Sequence, residues 1–472
     1  MMNRSNSNKG RGKQGSPASV VIASFCALCF VSMLPWGEIT GNRLKNFNLF
    51  SDIIHSTSAE YVTEEIIDPA LSKALADNEQ ILINTEPVER KRDSIIITSA
   101  EAEGHCSEFL SPRVDGLMAL EDYSGGVAVS RLRNAAESGT LRCAMIGDSY
   151  IEGDIFAGSI RRRLQDLYGG EGVGYVPMTS AVAGFRRTVR IKSKGFSACD
   201  IRNELKDSLH TLPGEYFRAA RGAEVSFKGE KGGYHTGAWS RSRILFTAPQ
   251  SGVISTSTDG QNWIEHTVEA SEKPQCISVD GLTSRFDVRC DIDGLIVFGA
   301  WLDSPSGVSY DCMSLRGYSG ISHRNMSIST SRSIAEWVDY DLIVIEYGMN
   351  ALSSQQTDYT PYGNIMKRVL LRLKACYPDA AIIMLGVGDR GQKQGTSIAS
   401  LPTTAALVDA QRSASRDVGV MFWDTREAMG GEDAIVEWRE RGLVNADYIH
   451  LNNKGGEEMS AIFVESLMRV LQ

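Results

Sequence analysis

CAMIGDSYIEGD, residues 143–154, decides how the chain is read. A short apolar run, Cys143 to Ile146, meets Gly-Asp-Ser and then an acidic, glycine-containing turn. Gly-Asp-Ser by itself is ordinary turn chemistry. The other reading makes Ser149 a nucleophile presented at the C-terminal edge of a sheet. The rest of the chain has to choose between them.

LRCAMI (141–146) reads as a buried strand, and IFAGSIRRRLQDLYGG (155–170) as an amphipathic helix closed by glycines. The Arg161-Arg162-Arg163 run is most simply a solvated face of that helix. Glu152 and Asp154 are expected to cap it, with substrate contact as the alternative. Upstream, a helical pattern covers Asp115 to Glu137. From Ala181 to Ser306 the pattern changes to short alternating runs separated by Gly, Asp and Ser, the signature of an antiparallel β-sandwich or jelly roll. Beyond Ser306 strand and helix alternate again: GVSYDCMSLRG, then YDLIVIEY (340–347), DAAIIMLGV (379–387) and VGVMFWD (418–424), each separated by a helical stretch. This rhythm predicts a parallel sheet covered on both faces, split by a β-rich insertion between its first helix and second strand.

Three further features fall at strand ends of that sheet, where function gathers in open parallel folds. RGYSGIS brings Gly317 and Gly320, EYGMNAL brings Gly348 and Asn350, and DYIHLNNKGG brings Asp447 and His450 three residues apart. Each is weak alone; the four in this order are not. Together they resemble the SGNH (GDSL-type) hydrolase superfamily over residues 141–180 and 307–472. The resemblance implies a flavodoxin-like, three-layer α/β/α domain with a five-stranded parallel sheet. It implies Ser149 as nucleophile, His450 as base and Asp447 as the carboxylate that orients the imidazole. The implied oxyanion donors are the backbone N–H groups of Ser149 and Gly320 and the side chain of Asn350, with Gly317 the less suitable second-block glycine. The third block departs from the family's G-x-N-D, having Ala351 after Asn350. The residue types suit the chemistry: a serine hydroxyl needs a neighbouring base, and a neutral imidazole held by a carboxylate is one. His323, close to the second block, is the one rival histidine; His235 and His266 read as surface or packing residues.

Within that superfamily the stretch through Gly169–Tyr175 is most similar to bacterial enzymes acting on O-acetyl groups of cell-wall or exported polysaccharides. The implied activity is an O-acetylesterase working through an acyl-enzyme. The alternatives are an O-acetyltransferase fed by a membrane acyl-donor protein, and a non-catalytic glycan-binding protein. No cofactor or metal is implied, and the nine cysteines form no metal-ligand pattern. Cys276 and Cys290 flank a hairpin-like stretch and could pair in an oxidising compartment. Trp239, Trp263, Trp301, Tyr216 and Tyr234 of the insertion could stack on sugars, though aromatics in a sandwich are more often core. Asp389-Arg390 could line the cleft or form a loop ion pair.

The 472 residues carry a net charge of −9, although Arg4, Lys9, Arg11 and Lys13 precede the apolar stretch without acidic partners. So acidic a body is a poor binder of nucleic-acid phosphates. Ala18 to Trp36 is largely apolar and uncharged, long enough to cross a bilayer, and its basic N-terminal flank predicts an exported, membrane-tethered body. A cleaved signal peptide is the rival reading. The expected organisation is therefore 1–36 anchor or signal, 37–110 spacer, 111–180 and 307–472 the two parts of the hydrolase domain, and 181–306 the β-rich, carbohydrate-binding-like insertion.

Overall fold

The apolar run that opens the first block forms strand β1, Thr140–Gly147, in the computed structural model. It pairs in parallel with β2 (Gly307–Ser314) on one side and β3 (Leu342–Glu346) on the other. The sheet continues through β4 (Ala381–Leu385) to β5 (Met421–Trp423), giving the order 2-1-3-4-5. Such a sheet has its switch point between β1 and β3, where loops diverge and leave a crevice. The strands are apolar on both faces because helices cover both. Helices α1 (Val127–Glu137), α2 (Ala157–Tyr168) and α8 (Asn453–Leu471) pack together. A second group consists of α3 (Ile328–Ala335), α4 (Thr360–Cys376) and α5 (Thr404–Val418). Two short helices, α6 (Thr425–Met429) and α7 (Ala434–Glu440), follow β5.

The structure describes residues 117–471 apart from 204–208 and 232, together with Arg113–Val114 and Asp68, Ala70, Leu71, Lys73 and Ala74. All of these belong to one compact unit, Glu64–Gln472. The apolar stretch 18–36 lies outside the described residues, and no described helix is long and apolar enough to cross a membrane.

A sixth strand, Glu121–Asp122, extends the five expected, running antiparallel to β5. It occupies ground where the sequence suggests helix. The reason is local: the Asp122 carboxylate accepts the N–H of Ser124 at 2.8 Å and of Gly126 at 2.9 Å, closing a turn. Gly125 and Gly126 adopt φ of 69° and 87°, and α1 starts only after them.

The insertion is a nine-stranded, wholly antiparallel sheet that curls around its own core of Phe217, Phe227, Trp239, Phe246 and Phe286, among others. Its strand Leu295–Asp303 shows how the two cores are joined. Leu295 and Val297 face the insertion core, while Ile296 and Phe298 face the α/β core. A bulge at Gly299 shifts the register, after which Trp301 faces the α/β core and Leu302 the other. Gly174–Val176 pairs with this strand, so the β sheet begins before the expected boundary at 180/181.

One open alternative is closed and two expectations are overturned. Cys276 and Cys290 are both free. Their strands are consecutive but not neighbours: Ser271–Thr283 pairs with Trp239–Ala248, whereas Arg285–Cys290 pairs with Glu215–Gly229 and Gly252–Ser257. Arg161 is not on a solvated face. It is fully buried and forms a two-pronged ion pair with Asp154, at 3.0 Å for each prong, while its Nε donates to the Tyr310 carbonyl at 2.7 Å. Neither acidic residue caps α2, because each is engaged elsewhere. The Glu152 carboxylate pairs with Arg316, and Asp154 also accepts from Arg186 Nε at 2.9 Å and Thr188 Oγ1 at 2.6 Å. Burial works against the Asp154 charge, but the two guanidiniums hold its carboxyl well below the usual range. This buried hub ties α2 to the first turns of the insertion.

Candidate active site

The first block ends β1 and turns sharply. A side chain at Gly147 would put Cβ 2.7 Å from the Glu346 carbonyl, so only glycine lets β1 approach β3 this closely. Asp148 follows, fully buried, accepting the Tyr150 N–H at 2.8 Å. This turn leaves Ser149 half-buried at the C-terminal edge of the sheet. His450 and Asp447 arrive from the loop before α8. Ser149 Oγ lies 2.9 Å from His450 Nε2, and His450 Nδ1 lies 2.8 Å from Asp447 Oδ2. Asp447 Oδ1 accepts the backbone N–H of Ile449 and His450 at 3.0 and 3.1 Å, which locks the D-x-x-H turn. Burial of His450 favours its neutral form, but the Asp447 hydrogen bond and charge outweigh it and raise the imidazole pKa above 6.5. The same contact, working against burial, lowers that of Asp447.

The second block supplies Gly320 at φ 85°, where a side chain would strike the Tyr347 ring at 2.5 Å. Gly317 has open space around its Cβ position. Gly320 starts the short helical turn Ile321–Asn325. Among the described residues, neither the Ser149 nor the Gly320 backbone N–H donates to another backbone carbonyl. The third block places Asn350 across from Asp148. Its amide donates to Asp148 Oδ2 at 2.7 Å and to the Tyr318 carbonyl at 3.1 Å. All five expected site residues thus lie on loops that follow strands or, for Asp447 and His450, precede α8.

Sequence reasoning missed the carboxyl pair beneath them. Glu346, at the end of β3, is buried beside Asp148. Burial and the neighbouring Asp148 charge push its carboxyl well above the ordinary range. Burial also raises Asp148, to about 6, against the stabilising donors of Tyr150 and Asn350. Burial thus pushes both carboxyls of the pair toward their neutral forms. A glutamate ending an otherwise apolar strand was the available signal.

His323, the rival base, is fully buried, with Nδ1 3.1 Å from the Tyr318 hydroxyl and Nε2 3.0 Å from the Leu212 carbonyl. Burial lowers its pKa to about 4. It is a core histidine. Asp389 and Arg390 do not pair with each other: Asp389 accepts from Ser400 and the Ile435 N–H, and Arg390 donates to the Met349 and Leu352 carbonyls. Of the insertion aromatics, Trp239, Trp301 and Tyr216 are core, Trp263 is covered by Arg289, and Tyr234 is exposed.

A cavity of about 610 Å³ opens beside the nucleophile loop, between the insertion and the sheet edge, lined by Glu152, Tyr175, Ser180, Arg202 and Arg316 among others. The Glu152 N–H donates to the Ser149 carbonyl at 3.3 Å, which ties the cavity wall to the nucleophile. Arg316, the partner of the Glu152 carboxylate, lies over the ring of Phe185, which is 60% exposed.

Fold, block order and loop placement are those that the resemblance of the four blocks to SGNH-type hydrolases implies. It superposes on a solved peptidoglycan O-acetylesterase with a TM-score of 0.62 at 20% identity, over 75% of this chain and 99% of that one. That is more of this chain than its α/β portion contains, so the shared fold extends into the insertion. A family two carbohydrate esterase from Cellvibrio japonicus aligns over 60% of this chain and 98% of its own, at 12% identity and a TM-score of 0.26. No family model and no curated protein matches the sequence.

Proposed function

We propose that the protein is a serine esterase that removes O-acetyl groups from a cell-wall or extracellular polysaccharide. The observation that carries this reading is the unbroken hydrogen-bonded chain from Ser149 Oγ through His450 to Asp447, beside a cavity walled by the insertion. Ser149 Oγ attacks the acetyl carbonyl carbon while His450 Nε2 takes its proton. The oxyanion that forms is met by the N–H groups of Ser149 and Gly320 and by Asn350. The bond to the sugar oxygen breaks, and that oxygen receives the proton from His450. Water then attacks the acetyl-Ser149 carbonyl, giving one proton to His450; the acetyl C–Oγ bond breaks, Ser149 Oγ takes that proton back, and acetic acid leaves and ionises in solvent.

A polysaccharide is favoured over a lipid ester by the cavity. Its wall sets Glu152, Arg202 and Arg316 among apolar residues such as Pro177, Val182, Ile191 and Leu315, a mix of hydrogen-bonding groups and apolar surface that suits a sugar. A cell-envelope polymer is favoured by the basic flank and apolar stretch 18–36, which reads as an export signal or membrane anchor. The shared fold with a peptidoglycan O-acetylesterase puts that polymer first among candidates.

The test measures acetate released from O-acetylated peptidoglycan by the wild type and by Ser149→Ala, with an unacetylated oligosaccharide also present. Acetate release that disappears in Ser149→Ala supports the esterase. Acetyl appearing on the oligosaccharide with little free acetate makes it a transferase, with the acetylated peptidoglycan as the donor in the assay. Full activity in Ser149→Ala refutes the site.

A further inference from the structure

Residues 37–110 read as a spacer, yet one of them is buried within the candidate site. Asp68 is 1% exposed. Its backbone N–H donates to the Asn350 carbonyl at 3.2 Å. Its Oδ2 accepts both the backbone N–H and the hydroxyl of Ser319, at 3.1 and 2.7 Å. Ser319 immediately precedes Gly320. On its other side, Asp68 Oδ1 accepts the Ala70 N–H at 2.9 Å, and the Asp68 carbonyl accepts the Leu71 N–H at 2.8 Å. These contacts cap a helical turn whose Leu71 and Ala74 are buried in the α/β core. One carboxylate oxygen therefore fixes the residue in place, while the other and the backbone N–H reach two separate loops of the site.

We infer that Asp68 is a positioning residue that sets the spacing between the Gly320 N–H and the Asn350 amide. The inference rests on the reading of those two groups as oxyanion donors. Both lie on irregular backbone, outside the sheet ladder that fixes β1 and β3. Another direct bond between the loops runs from the Asn350 amide to the Tyr318 carbonyl, and it uses the very group that must meet the oxyanion. Asp68 bridges the same loops through groups that take no part in the chemistry. A buried carboxylate accepting two donors from one residue is a strong, directional tie. Donors that act by preorganisation lose effect steeply when displaced.

Asp68→Ser separates the two roles, because serine caps a helix as aspartate does but is one carbon too short to keep both Ser319 contacts. The full chain is assayed on a small acetyl ester, with rates referred to sites titrated by a serine-directed phosphonate. The expected result is a lower but still cooperative melting transition, kcat lower by roughly 10- to 100-fold at a temperature where the variant is folded, KM within about twofold, and phosphonate labelling that goes to completion more slowly. Asp68→Asn, which keeps one acceptor, recovers part of the rate. Unchanged kcat in Asp68→Ser, or a raised KM at unchanged kcat, overturns the inference while Ser149→Ala, inactive, leaves the triad standing. Activity in Ser149→Ala overturns the site reading itself. If Asp68→Ser fails to fold, Ser319→Ala decides with Asp68 in place: a several-fold fall in kcat at constant KM supports the bridge, and wild-type kcat rejects it.

Discussion

Replacing Asn350 by alanine removes a donor whose present partners set the size of the effect. Loss of one oxyanion donor typically costs about 2.7–4 kcal/mol of transition-state stabilisation. In the resting site, however, the Asn350 amide already donates to Asp148 and to the Tyr318 carbonyl. To meet an oxyanion it must weaken one of these, and the 3.1 Å bond to Tyr318 is the longer. A neutral hydrogen bond of that kind is worth about 1 kcal/mol net. The remaining difference of about 1.7–3 kcal/mol corresponds to a loss in kcat of roughly 20- to 160-fold. Because the donor acts mainly as charge develops, KM should barely move. Stopped assays on an acetyl ester, run beside phosphonate labelling, check this: labelling of Asn350→Ala should be complete but slower. A rise in KM with kcat intact would make Asn350 a ground-state contact and break the third-block assignment, even with Ser149 still the nucleophile.

Three more outcomes follow from the same geometry. The general base must be neutral, and Asp447 holds the His450 pKa above 6.5, so kcat/KM should climb as pH rises through a value above 6.5; Asp447→Asn should move that limb to lower pH and lower the plateau, read from a pH–rate profile. The protonated imidazole also stabilises the fold, a contribution present below the unfolded value near 6.5 and lost as pH rises through the folded one. Asp154→Ala leaves Arg161 buried without its partner and should cost about 3–5 kcal/mol in urea unfolding, with the wild-type contribution present above the ordinary carboxylate range and lost as pH falls below it. Phe185→Ala, beside the Arg316 wall of the cavity, should raise KM for acetylated polysaccharide several-fold and leave a small acetyl ester unaffected; equal effects on both substrates would remove Phe185 from glycan contact.

What is legible in the sequence is whatever has a local pattern. Each strand of the sheet is a short apolar run, and each loop of the site has a turn signal: Gly147 before Asp148, Gly320, Gly348 before Asn350, and the D-x-x-H of Asp447 and His450. Arg161 escapes such a reading because a run of like residues looks like a face. Successive helical positions turn by about 100°, so three in a row span more than half the helix and one must look inward. Arg162 and Arg163 pair with Glu457 at the surface side, and Arg161 alone meets Asp154. A Cys276–Cys290 pairing, which the sequence left open, fails for a similar reason: nearness in sequence gives a hairpin only when consecutive strands are neighbours, and in this curled sheet they are not. Asp68 has no pattern to find. Asp-Pro-Ala-Leu announces a helix start and nothing more, because its partners lie about 250 and 280 residues away in the folded site.

The place of the insertion explains how these parts act together. It leaves the α/β domain after α2 and returns at β2, that is, between the block holding Ser149 and the block holding Gly320. Its first turns must therefore pass close to the nucleophile loop, and they do: a side chain at Gly153 would strike the Phe185 carbonyl at 2.9 Å. Asp154, next in the chain, then receives Arg186 from that same passing segment. Ser149 itself is carried by the end of β1, and His450 and Asp447 by the loop before α8, all of them outside the insertion. The insertion supplies the opposite wall of the cavity. On the proposed reading, changes in Arg202 or Arg186 of that wall should alter which substrate enters without moving Ser149 or His450, because the wall and the triad are carried by different parts of the chain.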